Sequence, residues 1–579
     1  MSKFLQQIKS QIYQHKKSLL LIFITAGLYF TRIFSKIIYF KAGNLYATHP
    51  NVWSDWALHI TLINTFANKP ISEWFLYHPY FSGGKLTYPF LTNAISGLLI
   101  KLGLSITQAM TWPSILYILL LLTGMYFLNF QIIKSSKKSI LGIFIFLTSA
   151  GPGFINFIKN FYSKPNFELL TFPPVDYTRI VEYQWLAGNI PTAMLVPQRA
   201  FLLGMTIGIW SLLLLTISIK QKSSKNSKKL MIISGLLAGI LPIAHIHSFI
   251  AVVIISGVIC ISIFYKFIEI SRQNKFEIFA FKKFIKNILC FIIPATILST
   301  ALFFNFIHGG IQKTDFMKIS FGWTAEKNLL SWIKMWWEIW GVMIPLAIYS
   351  LRSLIIKNKK TKKRKLLIEY FYGFFVLFAI ANIVIFQPTP WDNSKLFAWV
   401  YFGFSLLTAH TVVELWKSFN TPKDIARKIL AIFLMIFLSI TGILELIRLQ
   451  RFDKNTFMLS DFEEIEFAQQ VMKNTKTNDV FLTASDHNYP LQMWGSRSIV
   501  LGYKGWVTNF GFEIDERSRD VIEIYKFPEK SLALIKKYNI EYVVIGDREK
   551  NEFIINQKYF DENFPVAFQN KDTLIYKVN

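Results

Sequence analysis

The stretch Leu396-Phe-Ala-Trp-Val-Tyr-Phe-Gly-Phe-Ser-Leu-Leu-Thr-Ala-His-Thr-Val-Val-Glu-Leu-Trp416 decides the fold. It is an apolar run whose only formal charge, Glu414, sits near its end. A helix rises about 1.5 Å per residue, so such a run crosses about 30 Å of hydrocarbon. On one side, Trp391-Asp-Asn-Ser-Lys395 packs an acid, an amide and a cation together, and Pro388 and Pro390 restrict the backbone before it. On the other side come Lys417, Lys423, Arg427 and Lys428. The segment reads as a membrane span with a polar turn at one end and a basic loop at the other.

Runs of this kind recur along the chain. They cover residues 19–39, 107–132, 140–158, 201–219, 230–244, 249–267, 288–307, 332–351, 367–386, 396–416 and 429–447. Residues 90–104 are apolar but short and contain Lys101, so they read as a re-entrant or interfacial helix. The pattern predicts about eleven spans, with the N-terminus inside and the C-terminus outside. Lys134, Lys137 and Lys138, the 220–229 cluster and the basic stretch ending at Lys365 then all lie inside, as the positive-inside rule requires. Residues 1–18 form a basic, amphipathic cytoplasmic lead-in, and residues 41–88 are a large, aromatic first outer loop. A second outer loop spans 159–198. Cys260 and Cys290 both fall in predicted spans and imply no disulfide framework.

The formal charge of +28 hides two regimes. From Arg448 onward there are 18 basic and 20 acidic residues, which leaves 45 against 15 in the rest of the chain. A nucleic-acid-binding protein would place the basic excess on its soluble module. Here that module is slightly acidic, so the reading excludes nucleic acid as a partner. Residues 448–579 change pattern: Ser460-Asp-Phe-Glu463 resembles a capping box opening a helix to about Asn474. Residues 479–484, 541–546 and 573–578 are strand-like. The expected whole is a polytopic α-helical membrane protein, 19–447, followed by an extracytoplasmic α/β domain, 448–579.

The predicted topology gathers unusual polar groups on the outer side. The sharpest pair lies in Asn51-Val-Trp-Ser-Asp-Trp-Ala-Leu-His59, where Asp55 and His59 share a helical face. The carboxylate suits a general base towards an acceptor hydroxyl, or a ligand for a divalent metal such as magnesium or manganese. The bland alternative is a helix-capping Asp beside an interfacial His. Gln198 and Arg199 stand where a loop enters a span, and an Arg there can hold a phosphate or simply anchor the interface. His245 and His247 occupy a tight turn between two spans, where they can bind phosphate or metal or merely reverse the chain. Asp392, Asn393 and Lys395 can form a binding turn or a self-neutralising pair. Asp176, Arg179, Asp315, Glu338, Glu513 and Asp515 are weaker candidates. No Gly-rich phosphate loop, GxSxG or HExxH motif is present.

In architecture the chain resembles the GT-C superfamily of integral-membrane glycosyltransferases. The segments Pro197-Gln-Arg-Ala-Phe-Leu-Leu-Gly204, Trp391-Asp-Asn-Ser-Lys-Leu-Phe397 and Leu501-Gly-Tyr-Lys-Gly-Trp506 look most like its bacterial members. The resemblance implies a polyprenyl-phosphate-linked sugar donor, with a glycan, lipid or protein as acceptor. It also implies inverting transfer on the extracytoplasmic face of the plasma membrane, with Asp55 at the catalytic centre and His59 supporting it. Gln198, Arg199, His245, His247, Asp392, Asn393 and Lys395 would then bind the donor phosphate or the substrate, with Arg199, His245, His247 and Lys395 on the phosphate. Gly505-Trp-Val-Thr-Asn-Phe-Gly511 stands where oligosaccharyltransferases carry Trp-Trp-Asp-Tyr-Gly, which argues against transfer to Asn side chains. The rival readings are a transporter or flippase of lipid-linked glycans, and a non-catalytic membrane assembly protein.

Overall fold

The computed structural model describes residues 13–579 except 53–54, 149, 187, 221–223, 272–277, 309–316, 362–365 and 418–420. Most of the predicted lead-in, and Asp315, lie outside the described residues.

Eight described helices are long and apolar enough to cross a membrane: Lys16–Lys36, Ile106–Ile133, Arg199–Lys220, Lys225–Ala244, Ile246–Tyr265, Ile285–Phe306, Pro390–Trp416 and Pro422–Leu449. Each coincides with one of the eleven predicted spans. The other three predicted segments differ. The run 140–158 is split into Ser136–Leu147 and Phe154–Ser163. Gly151-Pro152-Gly153 breaks it, and a Cβ on Gly153 would meet the Tyr177 carbonyl oxygen at 2.0 Å. The run 332–351 is two helices, Leu329–Trp340 and Met343–Lys357, bent by 94°. Gly341 supplies the break with φ +55, which an L side chain rarely adopts. The run 367–386 is helical only over Ile368–Ala381. By length and composition the crossing helices are therefore eight, or nine if the bent pair counts as one span. The 90–104 segment forms the short helix Leu91–Lys101.

The helix Ser394–Trp416 is the axis of the bundle, buried along almost its whole length. It packs against Ser136–Leu147, Met343–Thr361 and Leu366–Ala381. Its far end holds a charge cluster. Lys138 Nζ donates to His410 Nδ1 at 2.8 Å and to Glu414 Oε1 at 2.5 Å. Its near end starts at the Pro390–Asn393 turn, so the two polar groups lie about a helix length apart.

The loop-bearing face is built on three sheets. The first predicted span ends at Lys36 because the chain turns into strand β1 (Ile38–Lys41), which pairs with β2 (Asn44–Ala47). Ala42 and Gly43 close this hairpin with φ of 49° and 81°, as a two-residue turn of the primed type needs. A short pair joins β3 (Lys318–Ile319) to β4 (Val384–Ile385). Strand β5 (Phe457–Ser460) adds to β2, so the first loop and the C-terminal region share one sheet.

The third sheet has the order β7-β6-β8-β10-β9, from β6 (Val480–Leu482), β7 (Ser498–Ile499), β8 (Ile540–Ile545), β9 (Val566–Gln569) and β10 (Leu574–Lys577). Strands β6, β7 and β8 are parallel, and β10 runs antiparallel to β8 and β9. Five of the six β8 residues are buried, as in a strand covered on both faces. The predicted capping box is shifted by one residue. Asp461 caps the helix Phe462–Lys473 by accepting from Glu464 N at 2.8 Å, while Ser460 Oγ accepts from Trp494 Nε1.

The first loop is also stitched to the edge of β7. Ser82 N donates to Ile499 O, Ile499 N to Pro79 O, and Gly502 N to Tyr80 O, at 3.0, 3.1 and 2.8 Å. Arg517 locks this joint. Its guanidinium stacks 3.5 Å from the Phe81 ring centre and donates to Ser82 O and Val500 O.

Candidate active site

A cavity of about 790 Å³ lies where these pieces meet. The helix Asp55–Asn68 contributes Asp55 and His59, and the start of Arg199–Lys220 contributes Gln198, Ala200 and Phe201. The turn between two spans contributes His245 and His247, and the turn before the axial helix contributes Thr389, Asp392 and Lys395. Tyr503, Trp506, Asn509 and Phe510 form a wall from the C-terminal region. Ile250, Phe303 and Ile307 make an apolar arm between the helices Ile246–Tyr265 and Ile285–Phe306.

Close backbone packing brings these walls together. A Cβ on Gly204 would sit 2.4 Å from the His245 Cβ, so only glycine lets that turn seat on the helix Arg199–Lys220. Trp56 Nε1 donates to Pro197 O at 3.1 Å and ties the Asp55 helix to the Gln198 corner. Thr389 Oγ1 donates to Asn509 Oδ1 at 2.8 Å and ties the proline turn to the C-terminal wall.

Asp55 stands in the first turn of its helix, partly open to the cavity. Burial pushes its carboxyl up to about 6; the Lys395 ammonium pulls it back, and the Asp392 carboxylate adds to the rise. A carboxyl with that value is a base of useful strength near neutral pH. His59 is buried, and burial with the Arg199 charge pushes its imidazole down to about 3, so it is neutral. It pairs through Nδ1 with Asn93 Oδ1 at 2.9 Å, which assigns the proton to Nδ1.

The His245 tautomer follows from its partners. Ser248 N donates to His245 Nδ1 at 3.1 Å, so that nitrogen accepts and the ring proton sits on Nε2. Burial, His247 and Lys395 together hold this imidazole well below its ordinary value, hence neutral. His247 Nε2 is buried and has no partner among the described residues. Lys395 Nζ donates to Asp392 Oδ1 at 2.5 Å and lies 5.6 Å from the Trp391 ring centre. The cavity thus holds one poised carboxyl, the imidazoles of His59, His245 and His247, and the Lys395–Asp392 ion pair.

Of the stronger sequence candidates Arg199 and Asn393 do not face the cavity, and of the weaker ones Asp176, Arg179, Glu338, Glu513 and Asp515 do not line it either. Arg199 is fully buried and turns into the bundle, donating to Ser96 Oγ at 2.7 Å, Ser114 Oγ at 3.3 Å and Met110 O at 3.3 Å. It follows Gln198 directly, and one helical step rotates a side chain by about 100°, which is enough to separate their environments. Asn393 is spent on its own turn. It accepts from Phe386 N at 3.1 Å and donates to Ala381 O at 2.9 Å and Val384 O at 2.6 Å. Residues the sequence reading did not assign line the cavity or support it: Tyr88, Thr389, Tyr503, Trp506, Asn509, and Asn93 behind His59. Tyr503 and Trp506 lie in the segment Leu501–Trp506 quoted for its resemblance; Asn93 and Thr389 carry no local signal.

Among the described residues no three His, Cys, Asp or Glu side chains are grouped to hold a metal ion. Asp392, the second carboxylate of the cavity, is already engaged by Lys395. Asp55 is the carboxylate of the cavity without an ion-pair partner among the described residues.

No protein-family model matches the sequence, and no curated protein does. Solved structures do. The archaeal oligosaccharyltransferase AglB from Archaeoglobus fulgidus, in complex with an inhibitory peptide and a dolichol-phosphate, aligns with a TM-score of 0.54 at 12% identity. The match covers 95% of this chain and 71% of that one. An Archaeoglobus fulgidus oligosaccharyltransferase in the apo form gives 0.55 at 12% identity over the same shares. The chain has the GT-C fold. ArnT from Cupriavidus metallidurans, bound to undecaprenyl phosphate, gives 0.47 at 8% identity, covering 96% of this chain and 97% of that one. Within this GT-C fold, the acidic residue at the start of the first loop, Asp55, is the one that opens onto the cavity.

Proposed function

We propose that the chain is a membrane glycosyltransferase that moves a sugar from a polyprenyl-phosphate-linked donor to an acceptor on the extracytoplasmic side. One observation carries the reading. A carboxyl raised to about 6 shares a single cavity with Lys395, His245 and His247, and that cavity extends as an apolar arm between two spanning helices. An isoprenoid chain suits the apolar arm, and its phosphate suits the ammonium and imidazole end. The AglB complex supports this, since it holds a dolichol-phosphate in a related fold.

Asp55 takes the proton from an acceptor hydroxyl as that oxygen attacks the anomeric carbon. The bond from that carbon to the phosphate oxygen breaks, and the pair of electrons leaves on the phosphate. Lys395 and the His245 Nε2–H then meet the growing charge, each hydrogen bond to a charged group contributing about 1.5–3 kcal/mol. Gln198 is placed to hold a sugar hydroxyl or a phosphate oxygen. His59 and Asn93 keep the base's helix face neutral and ordered. Arg199 and Asn393 act through the scaffold. A single displacement from the face opposite the phosphate inverts the anomeric centre. The basic clusters at the far end of the bundle support a cytoplasmic position for that end, with the cavity facing outward across the plasma membrane.

Purified protein given a radiolabelled polyprenyl-phosphate sugar and a mixed acceptor pool should release free polyprenyl phosphate and form a labelled product. Asp55→Asn should lower that rate by about 10²–10⁴ while the variant still binds the donor. A folded variant with the wild-type rate overturns the assignment. So does redistribution of the intact donor across proteoliposomes with no bond made, which is the behaviour of a flippase.

A further inference from the structure

A second cavity, of about 420 Å³, lies beside the first and takes no part in the chemistry above. The same two chain segments contribute to both. His49 and Asn51 line this one where Asp55 lines the other, and Thr192 lines this one where Gln198 lines the other. His49 belongs to the wall. Its Nδ1 accepts from Asn51 N at 3.1 Å, and its Nε2 donates to Thr192 O at 2.8 Å, so neither ring nitrogen is left for a ligand.

The two carboxyls of the cavity are spent on the wall as well. Asp176 Oδ1 accepts from Thr178 N at 2.9 Å and from Thr178 Oγ1 at 2.5 Å. Glu445 is 4% exposed, and its Oε1 accepts from Tyr177 N at 3.1 Å. The Asp176 and Glu445 side chains are also hydrogen-bonded to each other. Two carboxyls in that contact share a proton, because like charges so close cannot both persist. The pair therefore carries one negative charge.

What remains is cationic. Arg179 and Arg448 line the same cavity. Among the described residues neither guanidinium forms an ion pair or donates a hydrogen bond; Arg448 rests 5.3 Å from the Phe172 ring centre. Two positive charges face one negative charge, and the groups without partners are donors only. That combination selects an anion. A carboxylate fills one guanidinium fork with its two coplanar oxygens, whereas a phosphate group turns its oxygens in several directions and can meet two forks from separate segments. Arg448 also stands one residue before the end of the spanning helix Pro422–Leu449, the level at which the polar headgroups of a bilayer lie. A phosphodiester carries the single negative charge that the surplus calls for.

We infer that this cavity binds a singly charged phosphodiester between Arg179 and Arg448, separately from the catalytic cavity. The site does not depend on the role given to Asp55, and the test needs no turnover.

The test uses the full chain in an uncharged detergent, with binding followed by phosphorus NMR. The probes are glycerophosphoglycerol, which is a bare phosphodiester, and dihexanoylphosphatidylglycerol, which carries the same group on a lipid. Both should bind saturably to the wild type and equally to Lys395→Met, which removes the ammonium of the other cavity. Arg179→Gln, at an exposed position, and Arg448→Gln should each weaken that binding by about tenfold or more, with melting temperatures near that of the wild type. Tighter binding of the lipid than of the bare diester supports the inference with a membrane lipid as the source. Equal affinities support it with a soluble phosphodiester as the source. The inference is overturned if neither probe binds saturably, or if both glutamine variants bind like the wild type. Displacement of glycerophosphoglycerol by an equal or lower concentration of methyl glucuronide, a carboxylate, overturns it as well.

Discussion

At Asp55, burial sets both reactivity and pH dependence. The folded carboxyl titrates at about 6, above its unfolded value, so the folded state holds more protons than the unfolded state between about pH 4 and 6. Stability from this group is present at low pH and is lost as pH rises through that window. Asp55→Asn should therefore be more stable than wild type at pH 7.5, by up to about 2–3 kcal/mol, and melt at a higher temperature. The two should converge near pH 4, which a pH series of calorimetric scans reads directly. Activity runs the other way, because the base must be ionised, so the rate should climb through about pH 6 and level off above it. Asp392→Asn should move that ascending limb down and Lys395→Met should move it up, since those charges raise and lower the Asp55 carboxyl respectively. Each single change also strands a buried partner, at about 3–5 kcal/mol, and the double variant should recover part of that loss.

At the scale of elements, close packing rather than side-chain chemistry positions the site. Gly204→Ala puts a methyl within 2.4 Å of the His245 Cβ, so the 245–247 turn must shift. Overpacking of this kind costs about 1–3 kcal/mol. The expected signature is a lower melting temperature together with a rate loss at saturating donor. Asn393→Ala removes three hydrogen bonds that hold the turn before the axial helix. It should destabilise by about 2–4 kcal/mol and raise KM for the donor as Lys395 loses its fixed place. These elements were unequally legible. The long uniform spans announce themselves through length and apolarity, and eight of them stand where the sequence puts them. The bent pair at Gly341 and the break at Gly151-Pro152-Gly153 also read as apolar runs, because composition does not record a backbone reversal. Arg199 shows the same limit at a helix start, where its type suggested phosphate and its direction made it a buried strut.

For the whole molecule, the first loop and the C-terminal region are one structure. They share the β1-β2-β5 sheet, and the 78–82 segment lines the edge of β7. Arg517→Ala should loosen that joint by removing the Phe81 stack and two hydrogen bonds. The expected readout is limited proteolysis: faster cutting within 70–88 with the spanning bundle intact, and a reduced transfer rate because Tyr503, Trp506 and Asn509 shift relative to Asp55. Wild-type protease resistance in this variant would show the joint to be held elsewhere.

The amino-acid sequence by itself determined the membrane class, the axial span, the basic and polar ends of the bundle, and three strands of the C-terminal region, β6, β8 and β10. Each of these is written in local hydrophobic period and charge, which act over one element at a time. Only the tertiary structure decided which polar groups meet. Asp55, His245, Lys395 and Trp506 converge from four distant segments, while Arg199 and Asn393 turn away. That choice depends on helix rotation, on glycine contacts and on strand pairing between residues hundreds of positions apart, none of which leaves a trace in neighbouring residues.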